Sequence, residues 1–327
     1  MPNFLSQLTK SEQARLLEAL NYMYLDRLDE ADKPLQRAAE RKVTGPDFSR
    51  LYFDLAFLRG DDAAMERAFD AAKDGTVEPE VMHSKALALA RSGQLQLADA
   101  MARRAVDLTQ KAGARERAAL YQAAAAVWHA LVGDLGEARR TAARALDLST
   151  GRDVSYAAAF ALALTSELSR SSALLKDLEA RYSQDTTVQI SYLPALRGLM
   201  ALNQGKVAEA LKQLEPALSN EFALPGTAFI ANFGSLYPAY VRGQAYLAAR
   251  KPAEAAIEFQ KIISHRGIVL QDPVGALARL QLARALAASG DLPRARGAYQ
   301  DFLTLWKQAD ADAPLLKQAQ TEAAKLQ

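Results

Sequence analysis

The residues that could do acid–base, metal or nucleophilic chemistry are few and scattered along the chain. The 327 residues include three histidines, His83, His129 and His265, and no cysteine. No two histidines have the spacing of a metal-binding pair such as His-Glu-x-x-His, so we interpret each as a packing or surface residue. Without cysteine there is no disulfide, no thiolate nucleophile and no Cys-ligated zinc. We therefore predict no metal site and no cofactor.

Catalytic motifs that depend on a strained turn or a glycine-rich loop are also absent. The sequence has no Gly-x-Ser-x-Gly elbow and no P-loop. Most acidic residues fall on predicted outer helix faces and in turns, and Asp61-Asp62 fits the start of a helix, where negative charge is favourable. We predict that the chain is not an enzyme. The alternative, an α-helical enzyme with its site in the hollow of a superhelix, requires carboxylates that converge there.

The charge balance does not favour nucleic acid as a partner. Forty basic and 38 acidic residues leave a formal charge of +2, and the pairs Arg103-Arg104 and Arg139-Arg140 lie beside acids. The most apolar stretches, Ala123–Val132 and Tyr156–Leu164, are shorter than the ~20 residues of a membrane span. The first sixteen residues lack the basic start and apolar core of a signal peptide. Cytoplasm and periplasm both remain open.

An internal repeat determines the fold that we predict. Half of the residues are hydrophobic and only 7% are aromatic, and a template of small residue, turn glycine and small residue recurs along the chain. The small or apolar residue early in each predicted second helix lies at position 31, 65, 98, 138, 173, 210, 255 or 295. The first two steps, 34 and 33 residues, match the period of the tetratricopeptide repeat (TPR). We predict an all-α, right-handed α-solenoid of about eight TPR-like helix pairs, ending in a capping helix from Leu315 to Lys325.

The template has a physical explanation. Small residues let the two helices of a pair cross closely, and a glycine at the end of the first helix supplies the left-handed conformation that stops it. One pair cannot bury its apolar face, so neighbouring pairs must stack. We expect one superhelical domain over residues 1–327, with divergent repeats in 1–218 and well-conforming repeats and the cap in 237–327. Residues 219–236 are predicted to be an irregular linker, and His265–Pro273 is the second irregular segment.

The last third of the chain carries a more specific resemblance. The residues that carry it are the runs Leu236–Ala249, Ala255–Ile262, His265–Pro273, Ala298–Lys307 and Leu315–Ala319. They resemble the C-terminal TPR region of bacterial, acidobacterial-type serine/threonine protein kinases and of winged-helix regulators. No kinase nucleotide loop, catalytic loop or Asp-Phe-Gly triplet is present, and His265-Arg266-Gly267 lacks the catalytic aspartate. The resemblance implies the regulatory or sensory part of a signalling protein.

The expected function is to hold a protein or peptide partner on the concave face, where the first helices of TPR pairs present exposed residues. The register places five residues there: Tyr192, Asn203, Tyr240, Gln244 and Arg284. Tyrosine and arginine are frequent anchors of protein interfaces. Two alternatives stay open: Tyr192 and Tyr240 pack between neighbouring pairs, or the chain self-associates through exposed faces or the segment Ser219–Leu236.

Overall fold

A computed structural model describes residues 10–40 and 46–326, and all regular structure in these two ranges is helical. The first nine residues, on which the signal-peptide prediction partly rests, lie outside the described residues. The helices are α1 (Lys10–Tyr24), α2 (Leu28–Glu40), α3 (Pro46–Arg59), α4 (Asp62–Ala72), α5 (Glu78–Arg91), α6 (Leu95–Lys111), α7 (Arg115–Val132), α8 (Leu135–Leu148), α9 (Arg152–Leu164), α10 (Leu168–Arg181), α11 (Leu193–Asn203), α12 (Val207–Leu214), α13 (Gly226–Ala231), α14 (Tyr237–Ala248), α15 (Pro252–Ser264), α16 (Arg266–Val269), α17 (Val274–Ala288), α18 (Leu292–Leu305) and α19 (Pro314–Ala324). A π-helical turn, Val188–Tyr192, leads into α11, and a 3-10 turn, Glu215–Asn220, follows α12.

The predicted solenoid of helix pairs is confirmed. The first helices of the eight pairs are α1, α3, α5, α7, α9, α11, α14 and α17, and the second helices are α2, α4, α6, α8, α10, α12, α15 and α18. Helix α19 packs on α18 at the predicted place of the cap. The fourth residue of most second helices is a buried alanine, as at Ala98, Ala138 and Ala255. These small side chains allow the close crossing that the template predicted.

In the fifth pair the predicted register is wrong by two residues. Ala173 is exposed, and Ser171 occupies the buried fourth position of α10. The Ser171 hydroxyl donates a hydrogen bond to the Ala159 carbonyl oxygen of α9, 2.9 Å away. This bond satisfies the buried hydroxyl, so serine serves where other pairs have alanine. The pair lacks the turn glycine that sets the register in most of the others.

The turn between the two helices of a pair has a left-handed residue throughout. Gly60, Gly93, Gly133, Gly205 and Gly290 all have positive φ, as the template predicted. Where glycine is missing, Asp26, Ser166 and Arg250 adopt the same conformation, with φ of 56–62°. Left-handed backbone is strained for residues with a Cβ. These three turns therefore keep the shape of the repeat at a cost in free energy.

The two helices of a pair differ in how many of their residues are buried. In α9, ten consecutive residues from Val154 to Ala163 are buried, whereas α8 buries only Ala138, Thr141, Ala142 and Ala145. The first helices therefore form the inside of the molecule, and the second helices keep an exposed outer face. Because their inner faces are covered as well, the first helices do not present the open concave surface that the sequence predicted.

The solenoid returns on itself. Helix α17 contacts α5 and α7, and α16 contacts α1. The Trp306 indole N–H donates to the Arg91 carbonyl oxygen at 3.0 Å, and the Asp310 N–H donates to the Gly93 carbonyl oxygen at 3.0 Å. We call this contact, between α1–α6 and residues 265–275 and 306–310, the seam. It joins the first three pairs directly to the last.

The predicted linker is an insert that folds inward. Residues 219–236, called the insert below, contain the short helix α13, which packs on α5 and α7. After α13 the chain turns sharply, with positive φ at Asn232, Gly234 and Leu236. Over the two described ranges, no helix is both long and apolar enough to cross a membrane.

Candidate functional site

The two tyrosines predicted for the concave face lie inside the protein. Tyr192 is 0% exposed, stacks on Tyr156 with ring centroids 3.7 Å apart, and donates its hydroxyl to Asp153 Oδ1 at 2.8 Å. Tyr240 is 3% exposed and packs edge-on against Phe259. Burial raises the pKa of Tyr240 to about 12. The predicted exposure of both tyrosines is wrong, because the inner faces of the first helices are covered.

The other three predicted residues retain some exposure. Asn203 is exposed, but its amide donates to the Ala163 carbonyl oxygen at the end of α9, 2.6 Å away. Arg284 is half-buried and makes a bidentate pair with Glu322 of the capping helix, at 2.8 and 2.9 Å. Gln244 is half-buried on α14. The structure thus uses Asn203 and Arg284 to tie neighbouring elements, and partner binding by Asn203, Gln244 and Arg284 stays a prediction.

Buried polar side chains gather where the insert meets the seam. The His83 ring donates from Nε2 to the Ala231 carbonyl oxygen at 2.9 Å. The Asn232 amide donates to Ser84 Oγ and to Gln271 Oε1, each at 3.2 Å. Gln271 in turn donates to Asp54 Oδ1 at 2.8 Å. We call the set formed by Asp54, His83, Ser84, Asn232, Gln271 and Asp272 the polar cluster.

Asp272 fixes both irregular loops at once. Its Oδ2 accepts from the Gly234 N–H at 3.0 Å, and its Oδ1 accepts from the Val274 N–H at 2.9 Å and from the Tyr237 hydroxyl at 3.4 Å. Burial raises the pKa of Asp272 to about 7, although these donors and the Arg91 charge favour the ionised form. The carboxyl group therefore changes its protonation near neutral pH, at the point where the insert is held.

His83 is neutral at physiological pH. Burial lowers its pKa to about 4, and its ring stacks on Tyr121 with centroids 4.0 Å apart. Because a carbonyl oxygen can only accept, the bond to Ala231 places the proton on Nε2. The unprotonated Nδ1 is buried and, among the described residues, has no hydrogen-bond partner. Asp54 Oδ2 is also buried and has no hydrogen-bond partner among the described residues. Burial raises the pKa of Asp54.

The backbone around the polar cluster is strained. Leu236 has φ of 61°, and Leu270 has φ of 49° with ψ of −132°, a region that residues with a Cβ rarely adopt. Such conformations cost about 1–3 kcal/mol each and persist only where the surroundings enforce them. Strain, buried acids and unpaired polar atoms coincide at one place, which marks it as the candidate site.

The polar cluster bears on the enzyme alternative, which requires converging acids in the hollow. Asp54 and Asp272 are such acids, but both are 0% exposed. Asp272 uses both oxygens to hold loop backbone, and Asp54 holds Gln271. In the described part of the chain, no group of histidine, aspartate and glutamate side chains is arranged to hold a metal ion. The arrangement can bind peptide groups, and we derive no reaction from it.

Exposed apolar side chains occur in the insert and directly before it. Four of them are large and each at least 44% exposed: Leu218, Phe222, Phe229 and Ile230. The Phe222 ring rests on His265 with centroids 4.4 Å apart, and Phe229 meets Tyr24 edge-on at 6.5 Å. We call these four residues the insert patch.

Charged residues anchor the insert beside this patch. Glu221 lies 2.6 Å from the Arg242 guanidinium and 2.8 Å from the Lys261 ammonium, and Glu258 pairs with the same two cations. Burial alone would lower the pKa of Arg242, but its hydrogen bonds with Glu258 and Glu221 raise it. Arg50 donates to the Phe229 carbonyl oxygen at 3.1 Å. The patch is therefore exposed on a segment whose backbone is held in place.

A separate cavity of about 400 Å³ lies between α2, α3 and α4. Its lining includes Tyr52, Ala56 and Arg67. Arg59 also lines it and forms an ion pair with Asp32 at 2.8 Å. None of the residues that line the cavity belongs to the polar cluster, so the cavity does not extend the candidate site.

Sequence reasoning missed the polar cluster, although two signals pointed to it. The insert and His265–Pro273 are the two segments that break the repeat, and they supply Asn232, Gln271 and Asp272. The repeat pattern could not show that these two segments contact each other, or that they contact the second and third helix pairs. Asp54 and His83 lie within regular helices, where nothing in the local sequence separates a buried polar residue from a surface one.

Comparisons with known proteins bear on the fold only. No protein-family model and no curated protein sequence matches the chain. The crystal structure of yeast Tom70 matches over the whole chain with a TM-score of 0.50 and 13% identity; the chain spans 66% of that structure, just under two thirds. The crystal structure of the P58(IPK) TPR domain matches 96% of the chain and 98% of its own length, but with 11% identity and a TM-score of 0.28 that supports no argument.

The match to Tom70 agrees with the all-α solenoid of TPR-like pairs. The comparisons give no support to the resemblance to bacterial kinases and winged-helix regulators, which stays a prediction.

Proposed function

We propose that this chain is a protein-interaction scaffold and that a partner protein docks on the insert patch. The observation that carries the proposal is the exposure of four large apolar side chains between residues 218 and 230, next to backbone that is held by buried hydrogen bonds. Contiguous exposed apolar side chains are typical of interaction sites, and aromatic anchors supply much of the binding energy there. A rigid backbone beneath them lowers the entropy that binding must overcome.

The wider role that we propose is regulatory, in a bacterial signalling protein. The support for it is the resemblance of the runs between Leu236 and Ala319 to the TPR region of such proteins. These runs include His265–Pro273 and the start of α14, which hold the polar cluster and the insert. A partner that docks on the insert would therefore bind next to the residues that carry this resemblance.

Affinity capture with two matched triple variants tests the proposal. One variant is Phe222→Ser, Phe229→Ser, Ile230→Ser; the control is Leu97→Ser, Leu135→Ser, Ile257→Ser, which removes apolar side chains of 40–64% exposure from second helices. We expect a protein retained from a bacterial lysate by the parent and by the control to be lost from the insert variant. Equal retention by all three would contradict docking on the insert patch.

Self-association through the same residues is the second candidate, because the patch lies mostly within Ser219–Leu236. Sedimentation of the purified parent at several concentrations measures it directly. A parent that dimerises, an insert variant that stays monomeric and a control that dimerises would assign the patch to a second copy of the chain.

A further inference from the structure

We infer that the insert is an internal ligand, and that the partner's own peptide segment takes its place in the polar cluster. The inference rests on the proposed function and names the kind of partner that the scaffold holds. The site is formed by the inner faces of α3 and α5 together with Gln271 and Asp272. Its occupant is a helical turn followed by a left-handed residue, with the chemistry of Phe229–Gly234: aromatic, aliphatic, small, amide, aromatic, glycine.

The contacts of the insert are those of a bound peptide. Protein side chains hold its main chain at three points: Arg50 at the Phe229 carbonyl, His83 at the Ala231 carbonyl and Asp272 at the Gly234 N–H. One side chain is recognised specifically. The Asn232 amide donates to Ser84 and Gln271, while its oxygen accepts from Arg50 at 3.3 Å. Main-chain bonds supply affinity in such complexes, and a recognised side chain supplies specificity.

The insert is held at this site at a cost. The residues that bind Ala231 and Asn232 on α5 lie 148 positions away in the sequence. Leu236, at the end of the insert, is in the left-handed region, and release of the insert would relieve that strain. A segment from another protein would not have to join α12 to α14 within 22 residues, so it could bind without this strain.

The insert also leaves two hydrogen-bonding atoms of the site without a partner. Asp54 Oδ2 and His83 Nδ1 are buried acceptors without a hydrogen-bond partner in the described structure. Buried polar atoms are normally satisfied, and an unpaired one costs free energy. A partner segment with a hydroxyl or amide donor in reach of these two atoms would bind more tightly than the insert. The site is therefore suited to exchange an imperfect internal ligand for a better external one.

Binding of a labelled synthetic peptide tests the exchange. The peptide is residues 225–236, PGTAFIANFGSL, with fluorescein at its N-terminus, and its affinity is measured by fluorescence anisotropy. The proteins are the full chain, the Asn232→Ala variant and a matched control, Asn220→Ala, whose exposed amide donates a hydrogen bond to its chain neighbour Ser219. Asn232→Ala weakens the internal ligand but leaves the site intact.

We expect the Asn232→Ala protein to bind the peptide at least about tenfold more tightly than the parent, because the site is free more of the time. Asn220→Ala should bind like the parent. A peptide with alanine in place of its asparagine should bind at least about tenfold more weakly, since it lacks the bonds to Ser84 and Gln271. A folded Asn232→Ala protein that binds no more tightly than the parent, or that binds both peptides equally, overturns the inference.

A second measurement covers the case in which Asn232→Ala does not fold. Hydrogen exchange of the unaltered chain should show the amides of residues 226–236 exchanging through a local opening, well before those of α7 and α9. Exchange of both regions in one global step would overturn the inference. The proposed function has its own test: if the insert patch is needed for capture but the peptide does not bind, the scaffold stands and the internal-ligand inference fails.

Discussion

Helices α7–α10 and the insert are held in place by different kinds of interaction. In α7 and α9 about half of the buried residues are alanine, with larger residues such as Trp128 and Phe160, and each helix packs mainly on its sequence neighbours. The insert is held by hydrogen bonds and ion pairs to residues far away in the chain, through strained turns. Apolar packing supplies stability but tolerates small shifts, whereas a buried polar network is satisfied in one arrangement only. The difference indicates that the repeats carry the stability and that the polar cluster fixes how the solenoid closes.

The largest expected effect is in the repeat region. Trp128, 1% exposed, lies in a buried cluster with Ala86, Ala98 and Ala102. We expect Trp128→Ala to lower the free energy of unfolding by about 3–5 kcal/mol, because it leaves a cavity between α5, α6 and α7. Urea denaturation followed by circular dichroism measures the change, with the exposed Leu97→Ala as control. A loss below about 1 kcal/mol would contradict the view that this packing carries the stability.

Breaking the polar cluster should be milder and more local. Gln271→Met removes the partners of Asp54 Oδ1 and of the Asn232 amide, which we expect to cost about 2–3 kcal/mol. The seam should separate first, because these bonds join it to the insert. The only other tryptophan, Trp306, lies in the seam, so its fluorescence in a Trp128→Phe background reports on the seam alone.

In this background, Gln271→Met should shift the fluorescence transition to lower urea than the transition of the helical signal. The exposed Gln204→Met serves as control and should leave both transitions unchanged. Coincident transitions in the Gln271→Met protein would mean that the seam and the repeats unfold as one unit.

The third prediction concerns pH. The pKa of Asp272 is raised from 3.8 to about 7 in the folded chain, so the folded state binds more protons than the unfolded state between these values. Stability from this group is lost as the pH rises through 7. Asp272 alone should increase the free energy of unfolding by about 1 kcal/mol when the pH is lowered from 8 to 6.5. Asp54, whose pKa burial also raises, acts in the same direction.

Two neighbours limit the window for this effect. His83, with its pKa lowered from 6.5 to about 4, opposes the gain within this window and removes about half of it at pH 6.5, because the unfolded state takes up the proton there. Burial lowers the pKa of Arg91 to about 9, which places its titration above the window. Thermal unfolding of the parent and of Asp272→Asn at pH 8 and 6.5 measures the effect, and we expect a smaller difference in the variant. A parent that loses stability on this acidification would contradict the assignment.

The smallest effect tests the turns of the repeats. Arg250 is exposed with φ of 57°, so Arg250→Gly should raise the free energy of unfolding by up to about 1 kcal/mol. Gly205 has φ of 73°, and the space that a Cβ would occupy there is open, so Gly205→Ala should lower the free energy of unfolding by a similar amount through backbone strain alone. Chemical denaturation compares the two variants with the parent. Equal shifts of the same sign would show that backbone strain does not decide these turns.

The fold could be predicted because each feature of the repeat is local. Gly133 and Gly290 end a first helix through their own backbone conformation, and Ala138 and Ala295 mark the close crossing five residues later. The predicted register of the second helix is wrong only in the fifth pair, where Ser171 and not Ala173 is the buried small residue. The turn before Ser171 is one of those that lack the glycine. Local signals suffice when a fold repeats contacts between neighbours.

The candidate site could not be predicted in the same way. Tyr192 and Tyr240 were placed on a concave face by register, but both are buried, Tyr192 against Tyr156 and Tyr240 against Phe259. The polar cluster depends on the contacts of the insert and the seam. Those contacts join residues such as Asp26 and Arg266, 240 positions apart, and no periodic pattern encodes such a pair. The repeat pattern therefore predicts the helix pairs, but it does not predict which distant segments pack against them when the solenoid closes.

The seam also has a consequence for the order in which the chain folds. Each helix pair can form as soon as its own residues and those of its neighbour are available. The bonds of Trp306 to Arg91 and of Arg266 to Asp26 bridge 215 and 240 residues, and they require nearly the whole array to be in place. Contacts of such long range form slowly, because a large loop must be closed before they contribute. During synthesis from the N-terminus, the first three pairs must therefore wait, with their seam surface uncovered, until the last pair emerges from the ribosome.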